Sequence, residues 1–446
     1  MPTFHRRCRW KTALRPCRQR SRRFCAARPH RSIRSTCPSL STRATKRCCC
    51  CTRGFAGRNE RAAVSMERQL DVLVAGAGPA GAVIAAQLAG HCTVALAGRT
   101  PSGRQIGESL PGAASVPLRD LGLWDRFLAQ GHRPAWSHAS AWGQSETVQR
   151  DALLDPQGHG WILGRTAFDG LLRDAATERG AEWLAGAMLR AAHHEPGARH
   201  PWLCELLTAD GIPLRLRCRL LVDASGRSAR AARLAGAAVH RTDKLVCLHA
   251  WLPPGRDTAA WAGATLIEAA PQGWWYSVQV PHGDTVLAFH TDADQPAVRE
   301  CKTQAGLLAY AREQTLLIRA RCEGLDARAQ PVGIAPAYSQ YCAAAAGVDW
   351  MAVGDAALAF DPLASQGLFN SLCTGLQGAQ HAIAHLDGNA QALPAWTHHV
   401  DGVRAAYARN LAAYYAMEQR WPREPFWGRR LELAKAAAGA PAMAYS

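Results

Sequence analysis

The run Asp71–Ala85, DVLVAGAGPAGAVIA, ends an apolar strand pattern on Gly76-x-Gly78-x-x-Gly81 and enters a helix pattern through Pro79 and Ala80. Gly76 permits a tight turn, Gly78 lets the backbone approach a pyrophosphate, and Gly81 lets helix and strand pack closely. The first helical turn then offers unpaired N–H groups and a partial positive charge to phosphates. This is the chemistry of a dinucleotide site. The acidic residue that ordinarily follows the second strand and holds the adenosine ribose is missing. No Asp or Glu stands between Asp71 and Glu108, and the strand pattern Thr93–Ala97 runs into Gly98 and Arg99. Arg99 would meet either the 2′-phosphate of NADP or the phosphates of FAD.

A second stretch decides between these. Val353–Leu368, VGDAALAFDPLASQGL, gives a strand end, then Gly354 and Asp355, then Asp361-Pro362 and a loop that enters a helix. This pattern resembles the ribityl-binding signature of the flavoprotein monooxygenase superfamily, which includes aromatic hydroxylases, flavin-dependent halogenases and geranylgeranyl reductases. The resemblance implies that Asp355 accepts a hydrogen bond from a ribityl hydroxyl. It also implies that Pro362, Ser365, Gln366, Gly367 and Leu368 bring a helix N-terminus to the flavin N1–C2=O edge, where negative charge grows on reduction. Leu221–Arg230, LVDASGRSAR, resembles the middle motif of the same superfamily, centred on Asp223, Gly226 and Arg227. Three motifs in this order imply FAD as cofactor and NAD(P)H as electron donor.

Ile106–Pro111, IGESLP, resembles the flavin-strap segment of the halogenases and their relatives, which brings Glu108 and Ser109 to the cofactor. Halogenation also needs a lysine near the substrate, and none stands between Lys46 and Lys244. The halogenase Trp-x-Trp-x-Ile-Pro segment is absent, the nearest run being GWWYSVQVP at Gly273–Pro281. The whole body is most similar to the flavoproteins that mature quinone-cofactor enzymes such as lysine ε-oxidase, glycine oxidase and quinohemoprotein amine dehydrogenase. The similar stretches include Leu118–Gly131, Gly160–Asp169, Thr291–Asp294 (TDAD), Ser365–Gly375 and Glu418–Arg430 (EQRWPREPFWGRR). Gly164 stands where that resemblance leads us to expect an acid, which leaves Arg165 as the flavin contact.

The resemblance implies that NAD(P)H reduces the flavin, that O₂ is activated there, and that oxygen passes to an electron-rich ring. The target it implies is a tryptophan side chain of a partner protein, an amine dehydrogenase or oxidase subunit, on its way to a tryptophylquinone. The cofactor carries the hard chemistry, so the protein must orient the ring and exclude water. His249 and His290 are candidate bases for the ring proton, but a lone His on an apolar strand is as readily a core residue. Trp274, Trp275 and Tyr276 are candidates for an aromatic wall or for core. Trp421, Phe426 and Trp427 read as a domain cap, with docking of a partner as the alternative. Three alternatives share these motifs: a hydroxylase of a free aromatic metabolite, a reductase of the geranylgeranyl type, and a non-catalytic flavin-holding escort.

The elements that must position these residues follow from pattern and composition. Helical patterns fall at Val116–Gln130, Thr166–Arg179, Leu368–Leu386 and Trp396–Arg420; strand patterns fall at Lys244–Leu252, Gly273–Val280 and Thr285–His290. The expected fold class is α/β: a Rossmann-like FAD-binding domain with a parallel sheet, interrupted by an antiparallel substrate domain, with a helical C-terminus. The expected segmentation gives the first domain residues 66–130, 163–236 and 336–390, the second 131–162 and 237–335, and the terminal helices 391–446. Leu70–Gly90 has the length and apolarity of a membrane span, but its interior glycines and Pro79 favour strand, turn and helix.

The chain has 52 Lys and Arg against 35 Asp and Glu, a formal charge of +17, which invites a nucleic-acid or membrane reading. Residues 1–65 hold 18 of the basic residues and a single acid, Glu60, so the body from Met66 is electrically balanced. Neither nucleic acid nor membrane is therefore an expected partner of the body. The same segment holds eight of the 16 cysteines and has no helical or strand period. It reads as a disordered extension outside the working protein, with translation beginning at Met66; a targeting peptide, a basic arm or a metal tract are the alternatives. The other eight cysteines are scattered, as in a reducing compartment, and the expected location is cytoplasmic.

Overall fold

The computed structural model describes residues 67–100, 103–254, 261 and 263–439, and the basic extension 1–65 lies outside them. Within the described residues the fold is mixed α/β. Five parallel strands run side by side in the order Trp350–Ala352, Pro213–Asp223, Arg68–Ala75, Val94–Gly98 and Glu182–Ala185. An antiparallel ribbon, Met188–His194 and Trp202–Leu207, extends from Pro213–Asp223. The central strand is almost continuously apolar because helices cover both sides of a parallel sheet. Val72, Leu73 and Val74 are fully buried in it. The stretch Leu70–Gly90 is therefore a strand, a turn and the helix Pro79–Leu88. Among the described residues no helix is long and apolar enough to cross a membrane.

The helix Pro79–Leu88 packs against Arg165–Glu178 and Gly367–Leu386. Small residues set that spacing: a Cβ on Gly375 would lie 2.7 Å from Val83 Cγ1. The helical pattern over 116–130 is split into Ser115–Asp120 and Trp124–Leu128, because the chain turns at Gly122 with φ of +67°.

A second sheet has seven strands, ordered Gly333–Pro336, Leu245–Leu252, Thr285–Asp292, Gly273–Gln279, Ala264–Ala270, Ser137–Ala141 and Val148–Asp151. All its pairs are antiparallel except Ala264–Ala270 with Ser137–Ala141. Side chains alternate across a strand, so each contributes to two different cores. Leu248, Leu266, Trp275 and Phe289 pack on the helices Gln304–Gln314 and Leu317–Arg321. Cys247, Trp274, Val286 and Ala288 face the other way, toward Ile106, Ile162 and Leu363. Trp274 and Trp275 thus belong to opposite layers. Of the two readings of Trp274, Trp275 and Tyr276, a single wall fails on strand alternation: Trp274 and Tyr276 face Ile106 and Leu363, and Trp275 faces the opposite core.

The helix Ala392–Ala416 runs from the parallel-sheet core, where Leu393, Trp396 and Val400 are buried, to the second layer, which Tyr415 and the helix Pro425–Gly439 close. Phe426 and Trp427 are fully buried, and Trp427 Nε1 donates to Ala270 O at 2.9 Å. Arg430, also buried, pairs with Asp292 at 2.9 Å, while Arg429 bridges Asp292 and Asp294. The TDAD stretch and the WPREPFWGRR ending, distant in sequence, are held together by these charges.

Candidate functional site

The glycine turn between Ala75 and Pro79 is closed by contacts that admit no side chain. A Cβ on Gly76, whose φ is +120°, would lie 2.1 Å from Ala224 O, and one on Gly81 would lie 1.8 Å from Gly76 O. Gly78 differs: it is exposed, extended, and has nothing within 4 Å of where a Cβ would stand. It caps the helix Pro79–Leu88 without a side-chain partner, so the first-turn N–H groups lack acceptors. A Cβ on Gly98 would lie 2.6 Å from Ala77 N, and Arg99, exposed, follows directly beside the turn. Gly354, with φ of +58°, sits against Ala80, where a Cβ would come within 2.7 Å of the alanine methyl. Four close approaches thus gather the glycine turn, Arg99, the 223–230 loop and the 354–355 loop at one end of the parallel sheet.

Asp223 shapes this end from behind. It is fully buried at the end of its strand; one oxygen accepts from Ser225 N at 2.8 Å and the other from Ala232 N at 2.7 Å. Burial raises its carboxyl, and the backbone donors oppose that rise. Both oxygens being occupied, it orders the loop rather than presenting an acceptor. Gly226 follows with φ of +66°. Arg227, which the sequence places at the motif centre without a role, fastens the motifs together. It donates to Asp355 Oδ2 at 2.7 Å, to Phe360 O at 2.7 Å and to Tyr338 O at 3.3 Å. Among the described residues only Arg227 donates to Asp355, which leaves Oδ1 as a free acceptor. A cleft of about 660 Å³ lined by Arg227, Arg233, Arg241 and Tyr338 opens beside it.

The loop after Phe360 leads to the second sheet. Asp361 is buried, and burial pushes its carboxyl up to about 6. It accepts from Leu363 N at 2.9 Å and from Tyr415 Oη at 2.7 Å, and Tyr415 Oη accepts from Trp274 Nε1 at 3.2 Å. Tyr407 Oη accepts from Asp361 N at 2.7 Å. Pro362, Ser365 and Gln366 then enter the twenty-residue helix Gly367–Leu386, Ser365 with φ of +50°. Gln366 caps it without a side-chain bond, so this helix also presents unpaired N–H groups, beside half-buried Leu368. Thr374, whose hydroxyl accepts from Gly354 N at 2.9 Å, stands within the Ser365–Gly375 stretch, whereas Tyr407 and Tyr415 carry this geometry without any motif.

The strap is pinned by Arg165. Its guanidinium donates to Ile106 O and Gly107 O, each at 2.9 Å, and to Asp169 at 3.1 Å. Ser109 pairs through its backbone with Ile162. Arg165, expected at the flavin, has its guanidinium engaged in ordering the 105–107 segment. Glu108 turns inward: it is 2 % exposed, and neither carboxylate oxygen has a hydrogen-bond donor. Burial pushes its carboxyl up to about 7. It faces the second sheet, where Tyr276 Oη, His290 Nδ1, His249 Nδ1 and Thr265 Oγ1 are likewise buried without partners. His290 lies parallel to Trp274 at 3.7 Å between centroids, and burial holds its imidazole down near 3.

These residues fit FAD. An open Gly78 at an uncapped helix N-terminus suits a pyrophosphate, Asp355 Oδ1 suits a ribityl hydroxyl, and the Gly367 helix suits the anionic edge of a flavin. The profile of the FAD binding domain family matches residues 69–392. LodB of Marinomonas mediterranea, named as a FAD-dependent oxidoreductase, is 27% identical over 365 residues, 81% of this chain and 96% of its own. The myxobacterial chondrochloren halogenase CndH shares the fold with a TM-score of 0.72 and 23% identity, over 83% of this chain and 89% of its own. QhpG, a peptidyl tryptophan dihydroxylase essential for tryptophylquinone cofactor biogenesis, superposes with a TM-score of 0.64 and 25% identity, over 84% of this chain and 80% of its own.

Proposed function

The chain belongs to the FAD-binding domain family, and on that premise we propose that it is a NAD(P)H-dependent monooxygenase that hydroxylates a tryptophan side chain of a partner protein. The partner is an amine dehydrogenase or oxidase subunit, and the product is the precursor of its tryptophylquinone. The observation that carries this reading is the junction itself: the loops suited to FAD, 106–110 and 361–368, close onto the inward face of the second sheet, where Trp274, Tyr276 and His290 stand. The likeness to QhpG supports the choice of a peptidyl ring.

Bound FAD would supply electron transfer from NAD(P)H and the activation of O₂. Gly76, Gly78, Pro79, Ala80 and Gly81 would hold its pyrophosphate, with Arg99 beside them, and Asp355 its ribityl chain. The remaining work belongs to the protein's own side chains. Arg165 keeps the strap closed, and the buried apolar layer around Trp274 and Val286 keeps water from the reacting ring. Arg227, Arg233 and Arg241 give the open cleft beside Asp355 a positive field suited to the phosphates of NAD(P)H.

Halogenation fits poorly. The three lysines of the body, Lys244, Lys302 and Lys435, are all exposed, and Lys244 is paired with Asp294 at 2.9 Å. Among the described residues no lysine is placed to carry a halogen to a buried ring.

The test is co-expression of the full chain with the candidate subunit, read by the subunit's intact mass. A gain of one or two oxygen atoms on a single Trp, absent without the flavoprotein, is expected. No gain from a yellow preparation that consumes NAD(P)H and O₂ would transfer the reading to a free aromatic metabolite.

A further inference from the structure

The three arginines of the open cleft beside Asp355 are not equally free. Arg227 engages all three of its guanidinium nitrogens, on Asp355, Phe360 O and Tyr338 O, so it contributes charge and little else. Arg233 and Arg241 are exposed. Arg233 uses only Nε, which donates to Ser228 O at 3.2 Å, and its two terminal nitrogens have no acceptor among the described residues. Arg241 lies over the Tyr338 ring, 4.4 Å from its centroid, a stacking that orients the guanidinium plane and leaves the N–H groups at its edge unused. The neighbouring acids are committed elsewhere. Asp243, two residues beyond Arg241, accepts from Leu245 N and Ser339 N at 2.9 Å each, and Asp355 accepts from Arg227.

The rest of the lining is apolar. Val239 and Tyr338 are half-buried and Pro336 is exposed. Val239 and Arg241 stand two apart on one strand, so their side chains share a face. An apolar wall and a cation are thereby set side by side. The cleft volume, about 660 Å³, lies within the range of about 300–1,000 Å³ that takes a small molecule. Its complement has a flat or apolar body with concentrated negative charge attached directly to it. A phosphomonoester brings about −1.5 to −2 charges on one group, with three acceptor oxygens for the forks of two guanidinium groups. A diphosphate bridge spreads its charge over two groups.

We propose that this cleft receives the adenosine end of NADPH, with the 2′-phosphate held by Arg233 and Arg241 and the base on the wall of Val239, Pro336 and Tyr338, so that the chain takes NADPH in preference to NADH. The inference rests on the NAD(P)H-dependent reading above and deepens it by naming the donor. A dinucleotide without the 2′-phosphate leaves both forks unanswered and forgoes their charge-assisted hydrogen bonds. Arg99, beside the glycine turn, is left to the phosphates of FAD.

The experiment titrates the FAD-loaded full chain with adenosine 2′,5′-bisphosphate and with AMP, read by the heat of binding. The bisphosphate should bind at least about tenfold more tightly. The double variant Arg233→Gln, Arg241→Gln should bind the two alike. Arg241→Lys keeps the charge without the fork and should retain only part of the preference. On anaerobic mixing, NADPH should reduce the flavin faster than NADH at equal concentration, and the bisphosphate should slow the NADPH reaction. Equal affinities in the wild type, a preference that survives the double variant, or reduction by NADPH that the bisphosphate leaves untouched would each overturn the site. Reduction by NADH as fast as by NADPH would overturn it too, yet leave the NAD(P)H-dependent reading standing, so the two failures are told apart.

Discussion

The glycine-lined end of the parallel sheet and the inward face of the second sheet meet across a few residues, yet they are built on opposite principles. At the first, the demands fall on the backbone: Gly76 and Gly81 stand where a Cβ has no room, and Asp223 orders a loop with both of its oxygens occupied. At the second, the demands fall on side chains, and Glu108, Tyr276 and His290 are buried with polar atoms unpaired. The contrast separates a surface suited to phosphates, with open N–H groups and no room for bulk, from one whose buried polar groups stay unmatched.

The sharpest way to break the first region is Gly81→Val. Its Cβ would fall 1.8 Å from Gly76 O, so the turn cannot close, and FAD should be lost entirely. The flavin-to-protein absorbance ratio of the purified variant measures this, and a full complement of flavin would contradict the account of the turn. The clamp that holds the second region is next. Asp292→Ala leaves Arg430, 5 % exposed, without its carboxylate and should cost about 3–5 kcal/mol, seen as a lowered Tm. Unchanged melting would mean that the ending only lies on the surface.

A smaller, pH-dependent effect sharpens the contrast. Glu108 binds its proton more tightly in the fold, at about 7, than an ordinary glutamate does at 4.5, with Arg165, Cys247 and Tyr276 around it. Stability should therefore fall as pH rises from about 4.5 to 7 and stay lower above that. Glu108→Gln should remove most of this slope and be more stable than the wild type at pH 8, by on the order of 2 kcal/mol. Asp361, raised to about 6, leaves a residual slope of the same sign. Urea midpoints at pH 5 and pH 8 decide it; an undiminished slope in the variant would place the titration elsewhere. The smallest effect is expected at the junction, where Tyr415→Phe removes the hydroxyl between Trp274 and Asp361 and should cost about 1 kcal/mol.

The same division governs what the sequence disclosed. The glycine turn, Asp355 and the helix start at Gly367 were legible because each is a local string whose spacing states its backbone requirement. Arg227 stood within such a string, but its clamp on Asp355 and Phe360 O joins residues more than a hundred positions apart, which no spacing reports. The inward face of the second sheet was hidden more deeply. Its residues sit on three strands, 249 on one, 276 on another, 288 and 290 on the one between, and only register places them in adjacent rows. Glu108 reads as a cofactor residue because its segment resembles a flavin strap; the burial of its carboxylate without a donor is what no local string reports. The run Trp274-Trp275-Tyr276 misled for a related reason, since adjacent aromatics on a strand face opposite cores.

The measurement that bears most directly on the central claim uses the purified, FAD-loaded full chain, the quinone-free partner subunit and NAD(P)H under heavy-isotope O₂. The account predicts that isotopic oxygen enters a single Trp of the subunit, and that Asp355→Ala, having lost its flavin, transfers none. An unlabelled subunit from flavin-replete protein that consumes NAD(P)H and O₂ would contradict it.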